Sequence, residues 1–274
     1  MMTTTIVIRP SRRFPLPRFK ELWEFRELFY FLVWRDIIIR YRQTILGVGW
    51  AIVKPILSVV VITFIFNKLA GFTSEGIPYQ LFTLAGILAW NFFSQGVTAA
   101  SQSMIYNSNL VTKVYFPRLI IPSAAVLRGL VDLGIALLLY ASLMYYYSFS
   151  PGWQLFLFPL AVAWGVMSCL GVSLWVSAIG VKYHDVAQAL PFFVQLLFWI
   201  SPVGYSSAKV TGRFVLFYWM NPMAGVIECF RYSLLGKAYL PANLLILSLA
   251  VSGMILVSGI INFKRMEKEF ADVI

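Results

Sequence analysis

Acidic residues, histidine and cysteine are scarce in this 274-residue sequence, which has 11 Asp and Glu, one His and two Cys. Cys169 and Cys229 are too few for a disulfide framework, so both are expected to be free thiols. The single histidine, His184, lies in a predicted cytoplasmic turn, and with two distant cysteines no Ser/His/Asp or Cys/His arrangement can be assembled around it; nothing near it resembles a metal-ligand cluster. The chain also lacks a G-x-x-x-x-G-K-[ST] motif for nucleotide phosphates. These absences argue against an enzyme.

Apolar residues are abundant: 60% of the chain is hydrophobic and only 12% is charged, against about 25% charged in average proteins. A soluble domain of this length cannot bury so much apolar surface in one core. Disorder is excluded as well, because unfolded chains are poor in hydrophobic residues and rich in charge. The composition therefore predicts an all-α integral membrane protein.

Six segments are long and apolar enough to cross a bilayer, which takes about 20 residues. The predicted spans are 45–66, 81–100, 119–145, 155–181, 186–205 and 243–263. With both termini on one side, sixteen Lys and Arg flank the spans on that side and five on the other. The excess of basic residues predicts that both termini are cytoplasmic.

Two cytoplasmic segments have the polarity of docking surfaces. Residues 1–19 form a basic, Pro-containing tail, whereas 20–43 are predicted to be an amphipathic helix at the membrane interface. The loop after the second span contains a cap at Asn107 or Ser108 and a stop at Pro117, which predicts about two helical turns. Either segment could be a simple anchor or connector, or a surface moved by another protein.

The external stretch 206–238 is too long for a turn and too apolar for a solvated loop. Asn221 and Pro222 predict the start of a helix that Gly236 ends, and this helix is too short to cross. It also carries Glu228 and Arg231 on one face. A re-entrant helical hairpin that gates a pathway is expected, with an inert interfacial cap as the alternative.

Charged and aromatic side chains mark a possible pathway through the spans. Arg128 and Asp132, spaced i,i+4 within a span, are predicted to pair, either along a pathway or as a structural clasp. Aromatic residues form 17% of the chain, and those facing a lumen would suit sugar rings. The candidates for a substrate channel are Trp90, Phe92, Phe93, Phe192, Phe193, Phe198 and Trp199.

Several motifs, in order along the chain, resemble the ABC-2 permeases that export polysaccharides, the Wzm type. They are RDIIIRYRQTILGVGWAIVKP at 35–55, LAGILAWNFF at 84–93, NSNLVTKVYFPR at 107–118, YHDV at 183–186 with SPV at 201–203, NPMAGVIECFR at 221–231 and FKRMEKEFAD at 263–272. The match runs from about residue 20 to the end. Departures are mild: Lys54 replaces a neutral polar residue and Cys229 replaces the commoner glycine.

The resemblance implies a homodimer in the bacterial inner membrane, with a six-span transmembrane domain at 44–263 and a cytoplasmic tail at 264–274. Two copies of a separate Wzt-type ATPase would bind ATP and Mg, and this chain would hold no cofactor. A polyprenyl-pyrophosphate-linked polysaccharide of the O-antigen type would pass between the protomers. The implied ATPase contacts are Asn107, Asn109, Leu110, Lys113, Tyr115, Glu24 and Glu27. The implied periplasmic gate residues are Phe217, Trp219, Asn221, Pro222, Glu228 and Arg231.

Basic residues before and at the start of the first span offer a site for a pyrophosphate at the cytoplasmic entrance: Arg35, Arg40, Arg42 and Lys54. The ordinary excess of cytoplasmic positive charge explains them equally well. Three alternatives also stay open for the function. The cargo could be teichoic acid or capsular polysaccharide, the chain could be a membrane enzyme acting on lipid-linked sugars, or it could be a non-catalytic scaffold.

Overall fold

A computed structural model describes residues 23–42, 49–74, 76–238 and 240–270, and this part of the chain is helical without a β-strand. The predicted tail 1–19 lies outside the described residues, as do 20–22 and 43–48. The helices are α1 (Arg26–Arg42), α2 (Trp50–Ile62), α3 (Tyr79–Tyr106), α4 (Ser108–Lys113), α5 (Ile120–Tyr146), α6 (Phe158–Lys182), α7 (His184–Ile200), α8 (Val215–Trp219), α9 (Pro222–Leu235) and α10 (Ala242–Met266). A π-helical segment, Thr63–Leu69, continues α2, and a 3₁₀ turn, Trp153–Leu157, precedes α6.

Four described helices are long and apolar enough to cross a membrane: Trp50–Leu69, Ile120–Tyr146, Trp153–Lys182 and Ala242–Met266. They correspond to four of the predicted spans. The other two predicted spans coincide with α3, whose polar residues lower its hydropathy, and with α7, which is apolar but has only 17 residues. The six-span arrangement therefore stays a prediction.

The core lies where α3, α5, α6, α9 and α10 pack together. Small residues let α6 and α10 approach closely, because a Cβ built on Gly259 would lie 2.7 Å from the Gly171 carbonyl oxygen. Polar contacts also join these helices: Trp164 Nε1 donates to Ser252 Oγ at 2.9 Å, and Ser168 Oγ donates to the same oxygen at 3.1 Å. This packed side supports the elements that carry the candidate site.

Local capping signals determine the bounds of α9. The Asn221 side chain accepts a hydrogen bond from the Met223 amide at 3.0 Å, Pro222 occupies the first turn, and Gly236 ends the helix with a φ of 71°. These three features confirm the helix predicted over 222–235. The helix is almost completely buried among α3, α6 and α10.

The predicted apolar stripe of α1 packs against the protein itself. Leu32 is 2% exposed and joins a cluster with Met104, Val111, Phe116, Ile120, Phe263 and Phe270, whereas Tyr30 and Trp34 are exposed. Leu32 thus packs against protein, and the interfacial position of this helix stays a prediction. The stripe faces the ends of neighbouring helices because those ends are apolar too. We call the side of the molecule that contains this cluster and α4 the α4 end, and the side that contains α8 the α8 end.

Candidate functional site

The described residues form an open groove of about 1270 Å³. Its walls are α1, α2, α3 and α7, with Ala125 and Arg128 contributed by α5. The groove extends along α3 from Trp90 to Asn107, which is 17 residues or roughly 26 Å at 1.5 Å per residue. This length is most of the apolar thickness of a bilayer.

A stripe of neutral polar side chains follows the groove face of α3. Its members recur at helical spacing and are half-buried: Asn91, Ser94, Gln95, Thr98 and Gln102. The Thr98 hydroxyl donates to the Ser94 carbonyl oxygen at 2.7 Å. Within the described residues, the side-chain amides of Asn91 and Gln102 form no hydrogen bond. Their donors and acceptors are therefore available to a ligand. Gln195 of α7 adds a further amide to the same groove.

Four cations line the groove: Arg35, Arg40, Lys54 and Arg128. Arg35 bonds Asp36 Oδ1 and Asn107 Oδ1, both at 2.8 Å. Lys54 has no acidic partner among the described residues and lies 5.8 Å from the Trp50 ring centroid. Three of the four predicted pyrophosphate candidates are therefore together in one groove. The fourth, Arg42, is exposed and lines neither described cavity.

Arg128 and Asp132 do not pair with each other, contrary to the prediction. Arg128 contacts Asp36 at 3.9 Å, and Asp132 binds Arg40 at 3.0 Å and accepts a hydrogen bond from the Tyr41 hydroxyl. Burial together with that hydrogen bond raises the pKa of Tyr41 to about 12, so the phenol stays a neutral donor. The i,i+4 spacing permits a pair, but α1 packs against α5 and supplies closer partners of opposite charge.

A second cavity of about 480 Å³ lies behind the first, between the end of α1, the start of α2, α3 and α5. Arg40, Lys54, Asn91 and Gln95 line both cavities. Arg40 donates a hydrogen bond to Gln95 at the boundary. The cationic and amide groups are thus accessible from two directions.

The seven aromatic channel candidates occupy four different environments. Trp90, Phe198 and Trp199 line the groove, and the Trp90 and Phe198 rings meet edge-on at 5.6 Å. Phe92 lines the second cavity, whereas Phe93 is 1% exposed in the core. Phe192 and Phe193 are 64% and 61% exposed and line neither cavity. Periodicity alone could not separate these environments, because each depends on which helix packs alongside.

The candidate gate residues lie at the α8 end, and none of them lines either described cavity. Phe217 is exposed, but Trp219 is fully buried. The predicted proximity of Glu228 and Arg231 is confirmed by a 3.1 Å ion pair whose side chains are 1% and 0% exposed. This arrangement holds α9 in the core, and a gating role for these residues stays a prediction.

Arg231 links three segments by its guanidinium group. It donates to the carbonyl oxygens of Val203 at 2.8 Å, Tyr205 at 3.1 Å and Phe82 at 3.4 Å. Glu228 in turn accepts from the Ser207 amide at 3.1 Å. The chain after α7 is thereby attached to both α3 and α9, which satisfies polar groups that are costly to bury alone.

The predicted ATPase-contact residues of α4 lie on an exposed surface. Asn109, Lys113 and Tyr115 are exposed, and Leu110 is half-buried. Asn107 precedes α4 as predicted, but its side chain does not cap the helix. The Asn107 amide nitrogen instead donates to the Ser103 carbonyl oxygen at 2.7 Å, and its oxygen is occupied by Arg35. Glu24 and Glu27 are exposed near the start of α1.

Three groups at the site were missed from the sequence: the polar stripe of α3, Asp36 and Tyr41. The stripe had a readable signal, because polar residues recur every three to four positions from Asn91 to Gln102 within an apolar segment. Asp36 and Tyr41 had no such signal, since their partners on α5 are distant along the chain. Tyr41 and Asp132, for example, are separated by 91 positions.

Comparison with known proteins gives a consistent result. A family model described as ABC-2 type transporter matches residues 27–235. An O-antigen export system permease protein, RfbA, from Myxococcus xanthus is 27% identical over 93% of this chain and 98% of its own length. A protein of the same name from Klebsiella pneumoniae is 25% identical over 88% of this chain and 92% of its own.

A relative named for a different cargo also matches. The polysialic acid transport protein KpsM from Escherichia coli is 22% identical over 72% of this chain and 77% of its own length. The region matched by the family model includes both the groove and the α9 segment, because it extends from α1 to the end of α9.

Proposed function

The chain belongs to the ABC-2 type transporter family, and we propose that it is the membrane-spanning permease subunit of a polysaccharide exporter. The observation that carries the proposal is the groove, which combines neutral amides, aromatic rings and cations over much of a membrane's thickness. In this proposal the chain has six spans with both termini in the cytoplasm of a bacterium, and it lies in the inner membrane. The α4 end then faces the cytoplasm.

The chemistry of the groove suits a glycan. Amides such as Asn91 and Gln102 exchange hydrogen bonds with sugar hydroxyls, and the Trp90 and Trp199 rings offer apolar faces to sugar C–H groups. Neutral contacts of this kind let successive sugar units slide past without a tightly bound state. The names of the O-antigen permease relatives support the same cargo class.

The cations suit the anionic head of a lipid-linked glycan. Four positive side chains and one carboxylate, Asp36, line the groove, leaving a positive excess. Lys54 is the cation best placed to bind a pyrophosphate, because no acidic residue of the described chain neutralises it. The polyprenyl-pyrophosphate linkage of the cargo is the finer part of this proposal.

A second copy of the chain would close the groove. α2 and α7 carry large exposed apolar side chains beside it, including Leu57, Val61 and Trp199. Two ATPase subunits would bind at the exposed surface of α4 and at Glu24 and Glu27. They would hold ATP and Mg and drive opening of the seam between protomers. The α8–α9 region would form the periplasmic gate.

A capsular polysaccharide or teichoic acid is the second candidate cargo, and the relative named as a polysialic acid transport protein favours it. Depletion of the chain in its host tests the export function and names the cargo. We expect a long lipid-linked polymer to accumulate on the cytoplasmic side while its surface counterpart disappears. An unchanged glycan profile would contradict polysaccharide export.

The pyrophosphate site is tested by complementing that depletion with Lys54→Gln. We expect export to fall several-fold because one unneutralised charge is lost from the groove. Lys54→Arg should retain export. Arg42→Gln is the matched control, since Arg42 is an exposed cation that lines neither cavity. Equal export by the Lys54→Gln and Arg42→Gln variants would contradict the site.

A further inference from the structure

The end of α10 is bonded to the loop that follows α4. Glu267, the residue after α10, accepts a hydrogen bond from the Arg118 amide through Oε1 at 3.1 Å. Its carbonyl oxygen accepts another from the Arg118 guanidinium group. Its second carboxylate oxygen binds Lys264 Nζ at 2.9 Å, and these two side chains are only 19% and 17% exposed. Every acceptor group of Glu267 is thus engaged.

An apolar cluster lies beneath these polar contacts. Phe270 is 1% exposed, and its ring meets that of Phe263 edge-on at 5.2 Å. The same cluster contains Leu32 of α1, Val111 of α4 and Phe116 of the following loop. Residues 267–270 therefore bring Phe270 into the cluster that connects α1, α4 and α5.

We propose that Glu267 is a positioning residue that transmits movement of α4 to α10. This inference rests on the proposed function, in which an ATPase binds at α4. Arg118 is adjacent to Leu119, the residue that precedes α5, so displacement of the loop moves α5 through the chain itself. Displacement reaches α10 through Glu267, because charge-assisted hydrogen bonds with limited solvent access are strong enough to carry it. Glu267 thus makes α5 and α10 move as one unit.

Glu269 is a matched control, two residues further along the same segment. It binds Lys182 of α6 at 3.3 Å, but the Lys182 and Glu269 side chains are 46% and 58% exposed. Exposed ion pairs of this kind contribute little. Glu269 also has no contact with the loop after α4 among its hydrogen bonds in the described chain.

The test uses the full chain with its ATPase, reconstituted in vesicles, with Glu267→Gln, Glu267→Ala and Glu269→Gln compared. The readout is polymer exported per ATP hydrolysed, normalised to assembled complex. We expect this ratio to fall roughly two- to thirtyfold in Glu267→Ala, the range of coupling changes caused by single residues. Glu267→Gln should be milder, because its amide oxygen still accepts from the Arg118 amide, and Glu269→Gln should match the wild type.

Hydrogen exchange of the same complexes distinguishes a loss of coupling between α4 and α10 from a general loss of folding. Glu267→Ala should raise amide exchange at residues 114–118 and 264–270 while leaving α9 protected. If the alanine variant does not assemble, the glutamine variant provides the same comparison. An unchanged export ratio in Glu267→Ala, or a loss in Glu269→Gln equal to that in Glu267→Ala, would overturn this inference and leave the proposed function standing. A wild-type complex that exports no polymer with ATP would contradict the proposed function as well.

Discussion

The short helices α7 and α9 are buried to different extents, and the difference is the opposite of what their composition suggests. α7 is 17 residues long and carries large apolar side chains, yet Phe192, Phe193 and Trp199 are more than half exposed. α9 has 14 residues, includes a glutamate and an arginine, and is almost fully buried. Soluble proteins bury apolar side chains and expose polar ones. In a membrane this rule is reversed, because polar groups need protein partners whereas apolar side chains are stable against lipid or a second subunit.

This difference assigns distinct tasks to the two helices. α9 is fixed to α3 and to the chain after α7 by the Arg231 hydrogen bonds, so it acts as scaffold and would be the fixed part of the proposed gate region. α7 contributes one wall of the groove and leaves its other face uncovered. Substitutions should therefore affect unfolding strongly in α9 and weakly on the outer face of α7.

The largest effect is expected for Arg231→Met. The substitution leaves Glu228 buried without its counter-charge and frees three carbonyl oxygens, which should lower the free energy of unfolding by about 3–5 kcal/mol. Thermal unfolding of the purified protein in detergent measures this loss. The control is Arg213→Met, because Arg213 is an exposed arginine of the same region. Equal stability of the two variants would contradict the scaffold role of α9.

A smaller effect is expected for Gly86→Ala on α3. The added Cβ would lie 2.9 Å from the Val203 carbonyl oxygen and 3.1 Å from an Arg231 guanidinium nitrogen, so the contact must widen. We expect a loss of about 1–3 kcal/mol in the free energy of unfolding. Gly134→Ala on α5 meets no atom within 4 Å and should be neutral or slightly stabilising. The comparison fails if both alanine variants unfold alike.

The smallest effects are expected within α7. Phe198→Ala removes the edge-on contact with Trp90 and should cost about 1 kcal/mol of unfolding free energy. Phe193→Ala, on the exposed face, should stay within about 0.5 kcal/mol of the wild type. Chemical unfolding of the two variants in the same detergent measures the difference. A larger loss for Phe193→Ala would mean that its face is covered within the protomer.

The capping signals of α9 were read correctly from the sequence, whereas partners distant along the chain were not. Asn221, Pro222 and Gly236 fixed α9 because a cap and a stop act within one turn. The partners of Arg128 and Asp132 depend on where α1 lies, and no local pattern contains that information. The polarity of residues 20–43 predicted an amphipathic helix, but it did not indicate that Leu32 packs against the ends of other helices.

Part of the groove could be derived in advance. The clustering of basic residues before α2 was visible, and Arg35, Arg40 and Lys54 do line one cavity. The aromatic candidates could not be sorted, because the same residue type fills a core at Phe93 and a groove at Trp199. Orientation around a helix axis is decided by neighbouring helices, and hydropathy along a single segment does not report it.

The polar stripe of α3 also bears on how the chain enters the bilayer during synthesis. Insertion of an isolated helix depends on its total apolarity, and side chains such as Asn91, Gln95 and Gln102 make α3 the least apolar of the long helices. Arg40, which covers Gln95, is synthesised before α3, but α5 and α6, which cover much of its remaining surface, are synthesised later. In the proposed six-span arrangement, stable residence of α3 in lipid therefore requires its neighbours, and we expect it to leave the insertion machinery together with them.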